Sequence, residues 1–362
     1  MKQKQNFGQY FRGQLKWLSQ FSIFSLMVLA LVACSKDSEV PPNQVHELRY
    51  QSLTSVVSLP ELAEDLGYLG DLKLKYVGSV QGGPQDLQAL TTGDVDVATA
   101  FDGAIIKLAA AGIKIKAVVA SYGSDDKSWV GYYVPNNSPI HSARDLIGKK
   151  VAVNTLGAHY EFVLKDYLAR QGLSNDEINQ VEFVVLPPTN TEQALRAGQV
   201  DAAALVSIFQ DKALERGGLR KLVSDTDLYG SFTAGSYVFT EKFIQQHPEV
   251  VKQFVTGVAK AVEWTKQTPR EQVLARFKSI IEKRKRNESD VLMQYWRSYG
   301  VVSQGGLLNA AQYQRWIDLF VKRGEFKPNQ VKADALFTNQ FNPYARENKN
   351  VADDQRNKEH TQ

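Results

Sequence analysis

The chain of 362 residues is long enough for two domains of ordinary size, and its hydrophobic content of 43% is compatible with packed cores. Its 43 basic and 39 acidic residues give a net charge of +4, which excludes the strongly basic footprint of a nucleic-acid-binding protein. The single cysteine, Cys34, excludes a disulfide within the chain and any cysteine-based metal site or nucleophile after it.

The first 33 residues have the composition of a secretory signal. They carry four basic residues and no acidic one, and the apolar run 21–33 is shorter than the ~20 residues of a membrane span. The run ends in LVAC at 31–34, which resembles a bacterial lipobox, whose cysteine is lipidated and becomes the mature N-terminus. We predict a signal peptide at 1–33, lipidation of Cys34 and a polar tether at 34–44. Removal of the signal peptide takes away four of the 43 basic residues. The remaining 39 balance the 39 acidic residues, so the mature chain is expected to have no net charge.

Strands and helices alternate in the first half of the predicted globule. Apolar patterning predicts strands at 48–51 and 72–77 with a helix at 58–66 between them, followed by the glycine-rich loop 78–84. The segment 88–101, QALTTGDVDVATAF, then reads as the end of a helix, a glycine stop and a buried strand. The predicted order is therefore strand–helix–strand–helix–strand.

The same order returns in the second half, after a break that contains prolines. A strand at 150–153, a helix at 158–171 and a strand at 181–186 lead into 193–206, QALRAGQVDAAALV. This segment matches 88–101 at seven aligned positions. Parallel strands joined by a helix form the right-handed βαβ unit, so two such halves predict two α/β lobes with a cleft between them.

The remaining sequence completes the first lobe and ends in a polar tail. The predicted ranges are 45–135 plus 228–341 for lobe 1 and 136–227 for lobe 2. Beyond 248 the apolar period is helical, and the basic run KRKR at 283–286 is expected to be a solvated helix end. The tail 342–362 is too polar to bury, and we expect it to be disordered.

Four stretches carry a resemblance to a known family. The motif DLIGKKVAV at 145–153 is common across two-lobe binding proteins and therefore informs on the fold more than on the ligand. Together the stretches resemble the substrate-binding proteins of ABC importers in the nitrate, aliphatic sulfonate and taurine group, which also includes binders of thiamine pyrimidine precursors. The resemblance covers about residues 45–340 and implies a two-lobe, type II-like Venus-flytrap α/β fold with a helical C-terminal extension. The four stretches are 82–112, 145–160, 191–205 and 232–239.

The candidate binding site follows from the position of the strand ends. Ligands of open α/β sheets lie at the carboxyl ends of the strands, and closing two lobes brings both sets of loops onto one molecule. The loop before 158 leads into a helix, whose free N–H groups favour an anion, unless Thr155 simply caps it. His159 and Asp102 contact either the ligand or only the protein, and Trp129 and Phe232 are further candidates for an apolar wall. The predicted ligand-binding residues are Gln51, Ser52, Gln81, Gly82, Phe101, Asp102, Asn154, Thr155, His159, Ser207, Phe209 and Thr233.

No residue pattern in the sequence indicates catalysis, a metal site or a cofactor site. The five histidines lack metal-ligand spacing, and neither a Gly-x-Ser-x-Gly elbow nor a phosphate-binding glycine motif is present. The resemblance implies an extracytoplasmic, monomeric solute-binding component that works with a membrane permease and its ATPase. The expected solute is a small sulfonate or related anion or zwitterion. A nitrogen heterocycle of the thiamine-precursor type, a cofactor-synthesis enzyme on the same fold and a sensor subunit are the alternatives.

Overall fold

A computed structural model describes residues 47–345, all of which belong to the compact unit Val45–Gln362. The predictions for the signal peptide, Cys34 and the tether lie outside these residues, as does the tail from 346 onwards. The tail was predicted to begin at 342, but Asn342 is buried and its Nδ2 donates to the Gly305 carbonyl oxygen at 2.8 Å. The packed chain therefore continues past the predicted end of lobe 1.

The strands at the start of the described chain form two small sheets. Their strands are β1 (Glu47–Ser52), β2 (Lys73–Ser79), β3 (Ala98–Phe101), β4 (Ile115–Ser124) and, from much later in the chain, β10 (Phe232–Thr240). The two-stranded sheet pairs β1 and β2 in parallel, and the three-stranded sheet is antiparallel with the order β3-β10-β4. The helices between them are α1 (Leu59–Asp65), α2 (Gly83–Thr92) and α3 (Asp102–Ala110).

A five-stranded sheet is built from the middle of the chain. Its strands are β5 (Val130–Pro135), β6 (Lys150–Val153), β7 (Glu182–Val185), β8 (Ala202–Val206) and β9 (Leu219–Ser224), in the order β7-β6-β8-β5-β9. β6 pairs in parallel with the edge strand β7 and with β8, and the runs of β6 and β8, such as AAALV, are buried, as expected for strands covered on both faces. The helices are α4 (His159–Arg170), α5 (Asn175–Ile178), α6 (Pro188–Arg196), α7 (Ser207–Glu215) and α8 (Asp225–Tyr229).

The two matching segments of the sequence occupy equivalent places in different sheets. The first ends α2, turns at Gly93 with a left-handed φ of 80° and enters β3. The second ends α6, turns at Gly198 with φ 68° and enters β8. Only glycine adopts this conformation without a steric cost, which explains why both copies keep it.

We use lobe 1 for the part built on the two small sheets and lobe 2 for the part built on the five-stranded sheet. The predicted lobe 1 range, 45–135, includes β5, but β5 pairs with β8 and β9 of the five-stranded sheet. We propose that the chain crosses between the lobes at 125–129 and returns at 225–231. The buried Asp225 carboxylate ties the two crossings together, because it accepts from Ser124 Oγ at 2.6 Å and from the Val130 N–H at 3.1 Å.

The C-terminal part packs as helices against lobe 1. Its helices are α9 (Glu241–Gln246), α10 (Pro248–Gln267), α11 (Arg270–Arg284) and α12 (Ala310–Lys322). The expectation of a solvated helix end at 283–286 is wrong for two of its residues. Arg284 and Arg286 are folded back onto the Glu61 carboxylate because the chain turns sharply at Lys285, which has a left-handed φ of 47°. Between residues 47 and 345, no helix is both long and apolar enough to cross a membrane.

Candidate functional site

A cavity of about 260 Å³ lies where strand ends of both lobes meet. Its wall includes the ends of β1, β3, β6 and β8 and the loop after β2, as the strand-end argument predicts. The loop after β7 does not line it. The predicted site residues that line this cavity are Gln51, Ser52, Gln81, Gly82, Phe101, Asn154, His159, Ser207 and Phe209.

Three predicted site residues lie outside the cavity wall. Asp102 is fully buried, and its carboxylate accepts from Ser236 Oγ at 2.8 Å and from Gln312 Nε2 at 2.6 Å. Burial raises the pKa of Asp102 to about 8, which the two hydrogen bonds oppose. Thr155 and Thr233 are also absent from the wall. The cavity therefore gives no support to ligand contact by these three residues.

Three helices begin at the cavity wall. Gly83 opens α2, His159 opens α4 and Ser207 opens α7, and all three residues line the cavity. The first-turn N–H groups of a helix have no acceptor within the helix, and its dipole is positive at that end. α2 offers fewer of these groups than α4 and α7, because its second residue, Pro84, has no N–H. Among the described residues that line the cavity, none is Asp, Glu, Lys or Arg. The wall can therefore hold an anionic group through neutral donors alone.

His159 is held by aromatic rings and keeps both ring nitrogens free of hydrogen bonds. Its ring is stacked on Phe101, with centroids 5.2 Å apart and planes 8° apart, and it meets the edge of Phe232. Nε2 lies 3.3 Å from Asp225 Oδ2, but the angle does not suit a hydrogen bond. No other described group forms a hydrogen bond with either nitrogen. Buried polar atoms normally have partners, so a ligand or water is the expected partner here.

The loops of the two lobes touch at one side of the cavity. Asn154 Nδ2 donates to the Gln81 carbonyl oxygen at 3.0 Å. Next to it, a Cβ added to Gly82 would lie 2.5 Å from Thr155 Cγ2, which is too close for any side chain. Glycine at position 82 therefore allows the two loops to approach each other.

Ser207 combines its place at the cavity with an unusual backbone. Its φ of 48° lies in the left-handed region, which a non-glycine residue enters at a cost of order 1–3 kcal/mol. Such strain clusters at binding sites, where the surrounding structure enforces a geometry that the ligand needs.

Comparison with known proteins identifies the family of this chain. The sequence profile of the family described as NMT1/THI5 like matches residues 62–272, which is more than half of the chain. The protein belongs to the NMT1/THI5-like family. The resemblance seen in the sequence is thereby confirmed.

Relatives of this NMT1/THI5-like protein are named for binding sulfonates. A Bacillus subtilis (strain 168) protein named for binding aliphatic sulfonates is 30% identical over 235 residues, which is 62% of this chain and 67% of that protein. The taurine-binding periplasmic protein of Escherichia coli (strain K12) is 27% identical over 215 residues. This second match covers 55% of the chain and 62% of the relative, less than two thirds of its length.

A solved structure confirms the predicted fold class. The periplasmic aliphatic sulphonate binding protein SsuA from Escherichia coli superposes with a TM-score of 0.58 at 24% identity. The match covers 80% of this chain and 91% of SsuA. The NMT1/THI5-like protein thus has the two-lobe α/β fold of a periplasmic binding protein.

One part of the cavity wall of this NMT1/THI5-like protein was missed by sequence reasoning. Met293, Trp296, Ser298 and Tyr299 line the cavity but follow α11, far from any predicted strand end. A local signal existed, since QYWRSYG at 294–300 places three aromatic residues in a stretch otherwise rich in charge. Within residues 47–345, no cluster of three or more His, Cys, Asp or Glu is arranged to hold a metal ion.

Proposed function

We propose that the protein is the extracytoplasmic solute-binding component of an ABC importer and that it captures a small sulfonate between its lobes. The observation that carries this proposal is the cavity itself, where three helices begin and none of the lining residues of the described chain is Asp, Glu, Lys or Arg. A sulfonate has a fixed negative charge and three acceptor oxygens, which suits N–H donors from several directions. The sulfonate-binding and taurine-binding relatives support the same class.

Binding and delivery follow from the two-lobe arrangement. A ligand that contacts both rims stabilises the closed form relative to the open form, because only the closed form makes all of the contacts. The closed form is then the species that a membrane permease and its ATPase would recognise. The relatives are named as binding proteins, which supports capture without chemical change.

Attachment to the membrane through lipidated Cys34 belongs to the same proposal. Lipidation would keep the protein outside the cytoplasm at a bacterial membrane, next to the permease that it serves. Labelled palmitate incorporated equally by the wild type and by Cys34→Ser would contradict this part.

A second candidate solute is a nitrogen heterocycle. Gln51 Oε1 and Asn154 Oδ1 are buried, belong to cavity-lining residues and accept no hydrogen bond from the described chain. Such acceptors are satisfied by a donor, which a ring N–H or the ammonium of taurine supplies and a simple anion does not. This observation favours a zwitterion or heterocycle over nitrate.

A thermal-shift screen tests the proposal. Purified protein is heated with ethanesulfonate, taurine, nitrate or an aminopyrimidine. We expect the sulfonates to raise Tm by about 5 °C at one hundred times their Kd, because binding to the folded state alone stabilises it. A shift with the aminopyrimidine alone would establish the second candidate, and no shift with any of them would remove the proposed ligand class.

The contact at Gly82 provides a further prediction. We expect Gly82→Ala to weaken ethanesulfonate binding about tenfold, because the new methyl group overlaps Thr155 Cγ2 and pushes the two loops apart. Isothermal calorimetry measures the change. The double variant Gly82→Ala/Thr155→Ser lacks the Cγ2 methyl group of Thr155, so it should recover most of the affinity. Thr155→Ser alone serves as the control. Equal affinity of Gly82→Ala and wild type would show that the loops do not close on each other.

A further inference from the structure

A short segment after α11 closes one side of the cavity with apolar side chains. We call Met293, Trp296 and Tyr299 the aromatic cap, since all three line the cavity. Met293 and Trp296 are almost fully buried. The indole of Trp296 is supported from behind by Phe277, whose ring centroid lies 5.1 Å away in an edge-to-face arrangement. The cap is therefore a fixed wall rather than a loose loop.

The segment that carries the cap is attached to both lobes. On the lobe 1 side, Tyr299 OH donates to the Val57 carbonyl oxygen at 2.6 Å. On the lobe 2 side, Arg297 Nε lies 2.8 Å from the carboxylate of Asp211 in α7. Tyr295 OH also donates to a carboxylate of α7. The cap is thus held against the helix whose first turn lines the same cavity.

The cavity is larger than a short anion requires. An apolar cavity of about 150 Å³ is enough to hold benzene. The cavity here is about 260 Å³, so it has room for a ring and a small anionic head together. A two-carbon sulfonate would leave the cap facing a void, and the contacts that a void lacks are lost from binding.

The wall offers both kinds of surface that such a ligand needs. The starts of α2, α4 and α7 line the cavity with backbone N–H groups for the head, and the cap, Tyr122 and Tyr237 add apolar surface to the same wall. Trp296 Nε1 is buried and donates to no described group, so an acceptor on the ligand or a water is its expected partner.

We propose that the physiological ligand is a sulfonate that carries a ring-sized apolar group, and that the aromatic cap selects for that group. This inference depends on the proposed function, because it assigns the tail of the molecule whose head the helix termini bind.

Calorimetry with two probes that share a head group tests the inference. We expect benzenesulfonate to bind the wild-type protein at least about tenfold more tightly than ethanesulfonate, because the ring buries additional apolar area. Trp296→Ala should weaken benzenesulfonate at least about tenfold and change ethanesulfonate less than about threefold. Met293→Trp, which fills the cavity instead of emptying it, should show the same selectivity and covers the case in which Trp296→Ala does not fold.

The controls separate failure of the inference from failure of the proposed function. Trp264→Ala removes a half-buried indole of α10 that does not line the cavity and should leave both affinities unchanged. Equal affinities of the wild type for the two sulfonates, or equal losses for both probes in the variants, would overturn the inference while the sulfonate function stands. Binding of neither probe would overturn both.

Discussion

Replacing Glu61 with glutamine is expected to lower the free energy of unfolding by about 3–5 kcal/mol, as measured by urea denaturation. Glu61 is buried, and its carboxylate lies 3.1 Å from Arg284 Nη1 and 2.8 Å from Arg286 Nη1. Removing the negative charge leaves Arg286 without a carboxylate partner among the described residues and Arg284 with Glu288 alone. Breaking a buried ion pair from one side costs far more than the pair contributes, because the remaining charge is uncompensated.

Further contacts hold the Glu61 carboxylate and the Arg286 guanidinium in place. The Glu61 carboxylate also accepts from Tyr50 OH at 2.7 Å and from the Ser58 N–H at 2.9 Å. The Arg286 guanidinium lies over the ring of Tyr76 at 3.5 Å. Although burial lowers it, the pKa of Arg286 is raised overall by the Glu61 carboxylate and by Tyr50. Arg286 therefore stays charged and needs its partner.

The cluster also holds the loop that lines the cavity. Arg286 Nη1 donates to Ser52 Oγ at 3.3 Å, and Arg284 Nη1 donates to the Val56 carbonyl oxygen at 3.1 Å. Ser52 and Val56 both line the cavity. We therefore expect Glu61→Gln to weaken sulfonate binding as well as folding, with the stability loss as the larger effect.

A matched substitution at the surface controls for the loss of a carboxylate. Glu249 is a glutamate in the first turn of α10, with an exposed side chain that pairs with Lys252. Glu249→Gln should change the free energy of unfolding by less than about 0.5 kcal/mol, because an exposed ion pair contributes little. A similar small change for Glu61→Gln would show that the buried cluster does not stabilise the fold.

Local patterns were sufficient to predict the repeated α/β halves and the strand-end part of the cavity wall. Glycine stops such as Gly93 and Gly198 mark where a helix ends and a buried strand begins, and this signal needs no tertiary information. Once the strands are known, the rule that ligands lie at their carboxyl ends identifies the loops around Gln81 and Asn154. Each of these inferences uses residues that are close in sequence.

The parts that sequence reasoning missed depend on partners far apart in the chain. Arg284 and Arg286 look like a solvated helix end until Glu61, which is 223 and 225 residues away, is placed beside them. Trp296 follows no strand, so the strand-end rule cannot assign it to the site. Asp102 does follow a strand, but β10 and α12 supply Ser236 and Gln312, which turn its carboxylate into the core.

The stability of the protein is expected to fall as the pH rises from 5 to 9. Burial raises the pKa of Asp102 to about 8 and that of Asp86 to about 7. In the unfolded chain both groups have the ordinary Asp pKa of about 3.9. Above that value the folded state holds protons that the unfolded state has lost, so raising the pH favours unfolding until each folded pKa is passed.

Asp102→Asn tests the larger of these two contributions. Asparagine resembles the protonated acid, so the variant should lose less stability with pH than the wild type does, by up to about 1.4 kcal/mol per pH unit between pH 5 and 8. At pH 9 the variant should be the more stable protein, because it buries no charge there. Urea midpoints at pH 5, 7 and 9 measure the difference.

Asp86→Asn is the matched comparison, since Asp86 accepts from the Thr99 N–H at 2.7 Å and has one oxygen without a partner in the described chain. The effect of Asp86→Asn on the pH dependence of stability should end near pH 7 rather than pH 8. If the stability of the wild type and of Asp102→Asn changed with pH in parallel, Asp102 would not be protonated in the folded core.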